Sequence, residues 1–201
     1  MSSDLRLFVA VEPPGATTTA AARVIERLRR AGVEARWVDP AQLHITLHFL
    51  GDVATADLPA VCRALDAAGG RVAPFEIGIG GVGGFPDPRR PRTIWLGVRE
   101  GAAGLVAVHA AVAADLEPLG FRIEQRRFVP HVTIGRVQGG RVRGGRGGPA
   151  NGGDSALAAE VARLADIDGG RAEVAAVSLV ASRLERGGPV HEIVHTADLR
   201  A

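Results

Sequence analysis

Two rhythms of apolar residues divide this chain. Large apolar residues at every second position mark strands in 5–14 (LRLFVAVEPP), in LHITLHFLG up to Gly51, in 75–82 (FEIGIGGV) and in 93–98 (TIWLGV). The same rhythm returns in 128–137 (FVPHVTIGRV), 172–185 (AEVAAVSLVASRLE) and 191–199 (HEIVHTADL). Apolar residues recurring every three or four positions predict helices over 17–32, 55–69, 101–120 and 155–167. Thr17 to Thr19 are candidate caps for the first helix, with Gly32 as its stop. Residues 83–92 (GGFPDPRRPR) read as a loop, GIGGVGG (78–84) as a flexible strand-to-loop junction, and RGGP before His191 as a turn.

The element order repeats. From Val9 to His44, and again from Leu96 to His131, the chain runs strand, helix, strand over 35 residues. Each His-bearing strand is followed by a helix and a further strand, after 31 residues in the first half (Phe75) and 46 in the second (Val177). The excess matches the glycine- and arginine-rich stretch 138–153, which cannot bury a core and reads as a flexible insert. The expected fold is therefore α+β: one bilobal domain over 1–201 with a duplicated β-α-β-α-β plan, repeats at 5–82 and 93–184, and an exchange of terminal strands between lobes. Two antiparallel-type sheets would face a central groove.

The two halves share a tetrad, His44-Ile45-Thr46-Leu47 and His131-Val132-Thr133-Ile134. Strand alternation puts His and Thr on one face and the apolar pair on the other. Around an approximate two-fold, the polar pairs would face one another. His48 would extend the first polar row by one step. Two imidazoles with ordinary pKa values near neutrality can present an acid and a base together. Threonine hydroxyls can donate to anionic oxygens, so a phosphodiester is the natural substrate.

Composition narrows the chemistry. All 24 basic residues are Arg, and there is no Lys and no Tyr, which excludes a P-loop lysine, a lysyl-nucleotide intermediate and a tyrosine nucleophile. Net charge is only +2, yet residues 121–150 hold seven Arg against the single acid Glu124, a composition suited to a polyanionic partner. The lone Cys62 cannot form an internal disulfide and fits a reducing cytoplasm. No uninterrupted run of 18 apolar residues suggests a membrane span, and the N-terminus lacks a signal-peptide pattern. His44-x-Thr-x-His48 could offer two metal ligands, but no further ligand motif accompanies it, and no metal or cofactor is expected. His109, His191 and His195 show no partner pattern and read as structural, as does Cys62. A non-catalytic RNA-binding module is the competing class, although such a module needs no two titratable groups at matched places.

The paired HITL and HVTI tetrads resemble the two-histidine (2H) phosphoesterase superfamily. RLFVAVEPP, RWVDPAQLHITLHFLGDV, GGFPDPRRPRTIWLGV and FVPHVTIGRV are further similar to its bacterial RNA 2′,3′-cyclic phosphodiesterase branch, the 2′–5′ RNA ligase family, over roughly residues 5–199. The resemblance implies metal-independent opening of RNA 2′,3′-cyclic phosphate ends to 2′-phosphomonoesters. His44 would be the proton donor, His131 the proton acceptor, and Thr46 and Thr133 the phosphate-binding pair. His48 and Arg136 are added as possible substrate contacts. The partners implied are RNA 3′ ends or small cyclic-phosphate nucleotides, with no membrane and no obligatory protein partner. ATP-independent, reversible 2′–5′ joining would accompany hydrolysis, and linear 2′–5′ linkages or small cyclic diesters are the alternative substrates. Arg141, Arg143 and Arg146 of the insert are expected to embrace the RNA backbone. Deleting 138–153 should weaken RNA binding and flatten its salt dependence, measured by titration at several ionic strengths; an unchanged salt slope would discard that role.

Overall fold

The computed structural model describes residues 4–88, 91–124, 126–142, 152–185 and 188–200. Among these residues nine strands form: β1 (Asp4–Val11), β2 (Val33–Trp37), β3 (Ile45–Ala54), β4 (Phe75–Phe85), β5 (Thr93–Glu100), β6 (His131–Val142), β7 (Asp168–Val174), β8 (Ala176–Glu185) and β9 (Gly188–Asp198). The helices are α1 (Ala16–Arg30), α2 (Leu58–Gly69), α3 (Ala102–Leu116) and α4 (Gly152–Arg163). The strands form one antiparallel sheet in the order β7-β4-β5-β6-β3-β1-β8-β9, with β2 paired to β6. The α+β class expected from the sequence is the one observed, but the two expected sheets are joined into one. The seam is the pairing of Ile45 in β3 with Val132 in β6.

Strand order around that seam is nearly symmetric. β4, the last strand of the first repeat, sits with β5 and β6 of the second; β8, the last strand of the second, sits with β1 and β3 of the first. The expected strand 172–185 is in fact two. β7 and β8 are separated by the single residue Ala175 yet belong to opposite ends of the strand order. The sheet must therefore curl so that its ends approach one another. β2 escaped the sequence reading because VEARW is short and only Val33 is buried.

One face of the sheet carries the core. Leu7, Val9 and Val11 of β1, Ile45 and Leu47 of β3, Ile94 and Leu96 of β5 and Val132 and Ile134 of β6 are all at most 5% exposed. They join Val24, Ile25 and Leu28 of α1, Val61 and Leu65 of α2, and Leu105, Val108, Val112 and Leu116 of α3. Helical spacing dictates those buried positions. α1 does not begin with a threonine cap: Gly15 is its N-cap, and the buried Thr17 hydroxyl donates to the Gly169 carbonyl of β7 at 2.8 Å. α3 with its following turn, Ala102–Leu119, has length and mean hydropathy (1.4) enough to cross a membrane. Its buried Leu105, Val108, Val112 and Leu116 nevertheless pack on the core.

The GIGGVGG stretch is strand β4, not a junction. Gly83 pairs with Trp95, whose indole occupies the volume a Cβ at position 83 would need. Of the 138–153 segment, Arg141 falls in β6, while Arg143 and Arg146 lie outside the described residues.

Candidate active site

The site is built on the seam. Ile45 and Val132 are fully buried on the core face, so their neighbours on each strand project to the opposite face. Continued one step to either side, the antiparallel register sets His44 level with Thr133 and Thr46 level with His131. All four are partly exposed. The structure thus brings together the two tetrads that the sequence holds 87 residues apart.

Both imidazoles are held alike. His44 Nδ1 donates to the Gln42 carbonyl at 2.8 Å, and His131 Nδ1 donates to the Val129 carbonyl at 2.7 Å. A carbonyl only accepts, so each Nδ1 carries a proton and each Nε2 is left for proton transfer. Burial pushes the pKa of both below the ordinary histidine value, against the raising effect of the carbonyl bonds. The charges of His191 and His131 lower His44 further, and that of Arg136 lowers His131. Both rings are therefore neutral near pH 7 until an anion arrives; a phosphodiester between them would draw a proton onto one.

Aromatic rings flank each imidazole. Phe8 lies 4.8 Å and His191 5.2 Å from His44, ring centre to ring centre. Phe85 lies 5.0 Å and Trp95 6.0 Å from His131. His191, read as structural from sequence, is thus a third imidazole at the site, edge-on to His44. Nothing in the β9 sequence signals it, because the approach depends on the curl of the sheet.

A second regularity was invisible in the sequence. β3 and β6 each carry a bulge at the last residue of the tetrad: Thr46 pairs with Ala10 but His48 with Val9, leaving Leu47 extra, and Thr133 pairs with Trp95 but Gly135 with Ile94, leaving Ile134 extra. The same register makes Val11, facing Ile45, the counterpart of Leu96, facing Val132; the equal 35-residue spacings had matched Val9 instead. Each bulge reverses the alternation beyond it.

His48 therefore does not extend the polar row. It is 5% exposed on the core side, its Nε2 donates to the His109 carbonyl at 2.8 Å, and its ring stacks on His109 at 4.0 Å. His109 in turn stacks on Phe128 at 4.3 Å. His48 is a packing residue, and a substrate contact there is withdrawn. Arg136, after the second bulge, is exposed and faces His131 electrostatically. His195 pairs with Asp66 at 2.8 Å, tying β9 to α2. Burial raises the pKa of the Cys62 thiol on α2, which makes it a poor nucleophile. Among the described residues, no group of three or more His, Cys, Asp or Glu side chains could hold a metal ion.

A profile of the 2′-5′ RNA ligase superfamily matches residues 17–143, and one of LigT-like phosphoesterases matches 96–191. The chain belongs to the 2′-5′ RNA ligase superfamily. It is 33% identical over 187 residues to the RNA 2′,3′-cyclic phosphodiesterase of Methanothermobacter thermautotrophicus, covering 93% of this chain and 95% of that one. It is 31% identical to the Aquifex aeolicus protein of the same name, covering 85% and 87%. Among solved structures it is similar to TT0787 of Thermus thermophilus (TM-score 0.73, 27% identity, 98% of each chain). It shares its fold with Escherichia coli LigT complexed with 3′-AMP (TM-score 0.69, 22% identity, 98% and 99% covered). As a superfamily member it is an enzyme-type 2H scaffold in which both tetrads are complete.

The stacked His48–His109 pair sets a pH dependence of stability. Burial lowers both pKa values, that of His109 to about 4, while the unfolded chain titrates near 6.5. Between those values the unfolded state binds more protons, so stability falls as pH drops from about 6.5 towards about 4. Urea unfolding at pH 7 and pH 5 should show this loss, and His109→Phe, which keeps the stack, should lessen it. An equal loss in both proteins would remove the pair as its source.

Proposed function

We propose that this protein opens RNA 2′,3′-cyclic phosphate ends to 2′-phosphomonoesters. The observation that carries the reading is the matched pair of Nδ1–carbonyl bonds, which leaves two Nε2 atoms, one on each side of the seam, free for proton transfer. The names of the relatives at 31–33% identity point to the same reaction.

In the proposed step the cyclic phosphate sits between His44 and His131. His131 Nε2 takes a proton from a water as its oxygen bonds to phosphorus. The P–O3′ bond breaks on the opposite side, and His44 Nε2–H protonates the departing O3′. The ring opens, the phosphate stays on O2′, and the two histidines exchange protonation states before the next turnover. Thr46 and Thr133 hydroxyls and the Arg136 guanidinium hold the non-bridging oxygens, where negative charge builds. The geometry is near-symmetric, and the assignment of donor to His44 rests on the family resemblance. A 5′-hydroxyl in place of water would give a 2′–5′ linkage by the same proton transfers, with the ring-opening energy in place of ATP.

With EDTA present, the wild type should convert a 2′,3′-cyclic nucleotide, and a short RNA ending in one, to the 2′-phosphate. His44→Ala and His131→Ala should each lose roughly 10²–10⁴-fold in kcat. A 3′-phosphate product would reverse the regiochemistry. RNA binding without turnover, or turnover only with added metal, would overturn the reading, as would joining that requires ATP.

A further inference from the structure

The paired bulges have a consequence on the open face of the sheet. Two residues past each bulge, the side chain that strict alternation would bury is turned back to the side of the histidines. In the second half this residue is Arg136; in the first it is Phe49. The two positions are equivalent about the seam, but one carries a guanidinium and the other a phenyl ring.

Phe49 is 66% exposed, a costly state for a phenyl ring in water. Its neighbour across β1 is Phe8, which is 4% exposed, with ring centres 6.1 Å apart; Phe8 in turn lies 4.8 Å from His44. Phe8, Ala10 and Val180 form a small apolar cluster on this face, separate from the main core. The open ring of Phe49 therefore rests on a fixed support and is continuous with the imidazole of His44.

We infer that Phe49 is the platform on which the base of the terminal nucleotide stacks. The inference rests on the proposed reaction, in which the ribose oxygen that departs faces His44, so that the nucleoside lies on the Phe49 side while Arg136 meets the phosphate on the other. The bulged scaffold thus supplies equivalent positions for the two chemically different ends of one nucleotide. A phenyl face accepts any base, because every base offers a π-face, so the subsite gains affinity without strong base selectivity.

The test compares adenosine 2′,3′-cyclic phosphate with the 2′,3′-cyclic phosphate of 1-O-methylribose, which lacks a base. Wild type should prefer the base-bearing substrate in kcat/KM. Phe49→Ala should lose roughly 5–100-fold on that substrate, mostly through KM, with the preference falling towards unity. Phe49→Trp should retain the preference. Equal losses on both substrates, or a wild type indifferent to the base, would overturn the inference. A wild type that opens neither ring would instead overturn the proposed reaction itself.

Discussion

The site depends on a short antiparallel contact between two strands that come from different repeats. Ile45 and Val132 meet at the seam with their side chains fully buried. A slip of one residue in either strand would send His and Thr into the core and expose the aliphatic pair, at a cost in both desolvated polar groups and lost apolar burial. The core thus fixes the register, and the register fixes the chemistry. The backbone carbonyls of Gln42 and Val129 complete the arrangement by holding each ring in one tautomer. No side-chain partner is required for this, which makes the orientation robust to variation nearby.

Bulges turn a symmetric frame into an asymmetric site. They send His48 and Gly135 towards the core and Phe49 and Arg136 outward. Gly135 leaves room for Trp37, whereas His48 finds a carbonyl and a stacking partner on α3. Further differences lie beside the histidines: a third imidazole, His191, flanks His44, while Phe85 stands edge-on to His131. A protonated His191 would oppose protonation of His44, and Phe85 can have no such effect. One duplicated plan therefore holds two histidines in matched geometry but unmatched surroundings, as an acid and a base require.

Much of this was legible in the sequence because it is local or repeated. The duplicated tetrads identified His44, Thr46, His131 and Thr133, and strand alternation put each His with its Thr. The order of the helices and of the other strands followed from periodicity, but β2 and the break between β7 and β8 did not. What failed was whatever depended on one extra residue or on long-range curvature. The bulge at Leu47 defeats alternation between Thr46 and His48, so the row was extended to a residue that packs under α3 and Phe49 was passed over. His191 reaches His44 through the curl of the sheet, and no spacing within β9 encodes that. Gly83 of β4 looked like flexibility because its partner, the indole of Trp95, is on another strand.

The division of labour between the two imidazoles can be separated by the leaving group. A nucleoside 2′-(4-nitrophenyl phosphate) puts nitrophenolate where O3′ departs, and nitrophenolate leaves without being protonated. On this substrate His44→Ala should stay within about tenfold of the wild type, while His131→Ala should still lose roughly 10²–10⁴-fold, because water must be activated in either case. Equal large losses in both variants, or the reverse pattern, would contradict His44 as the acid and His131 as the base.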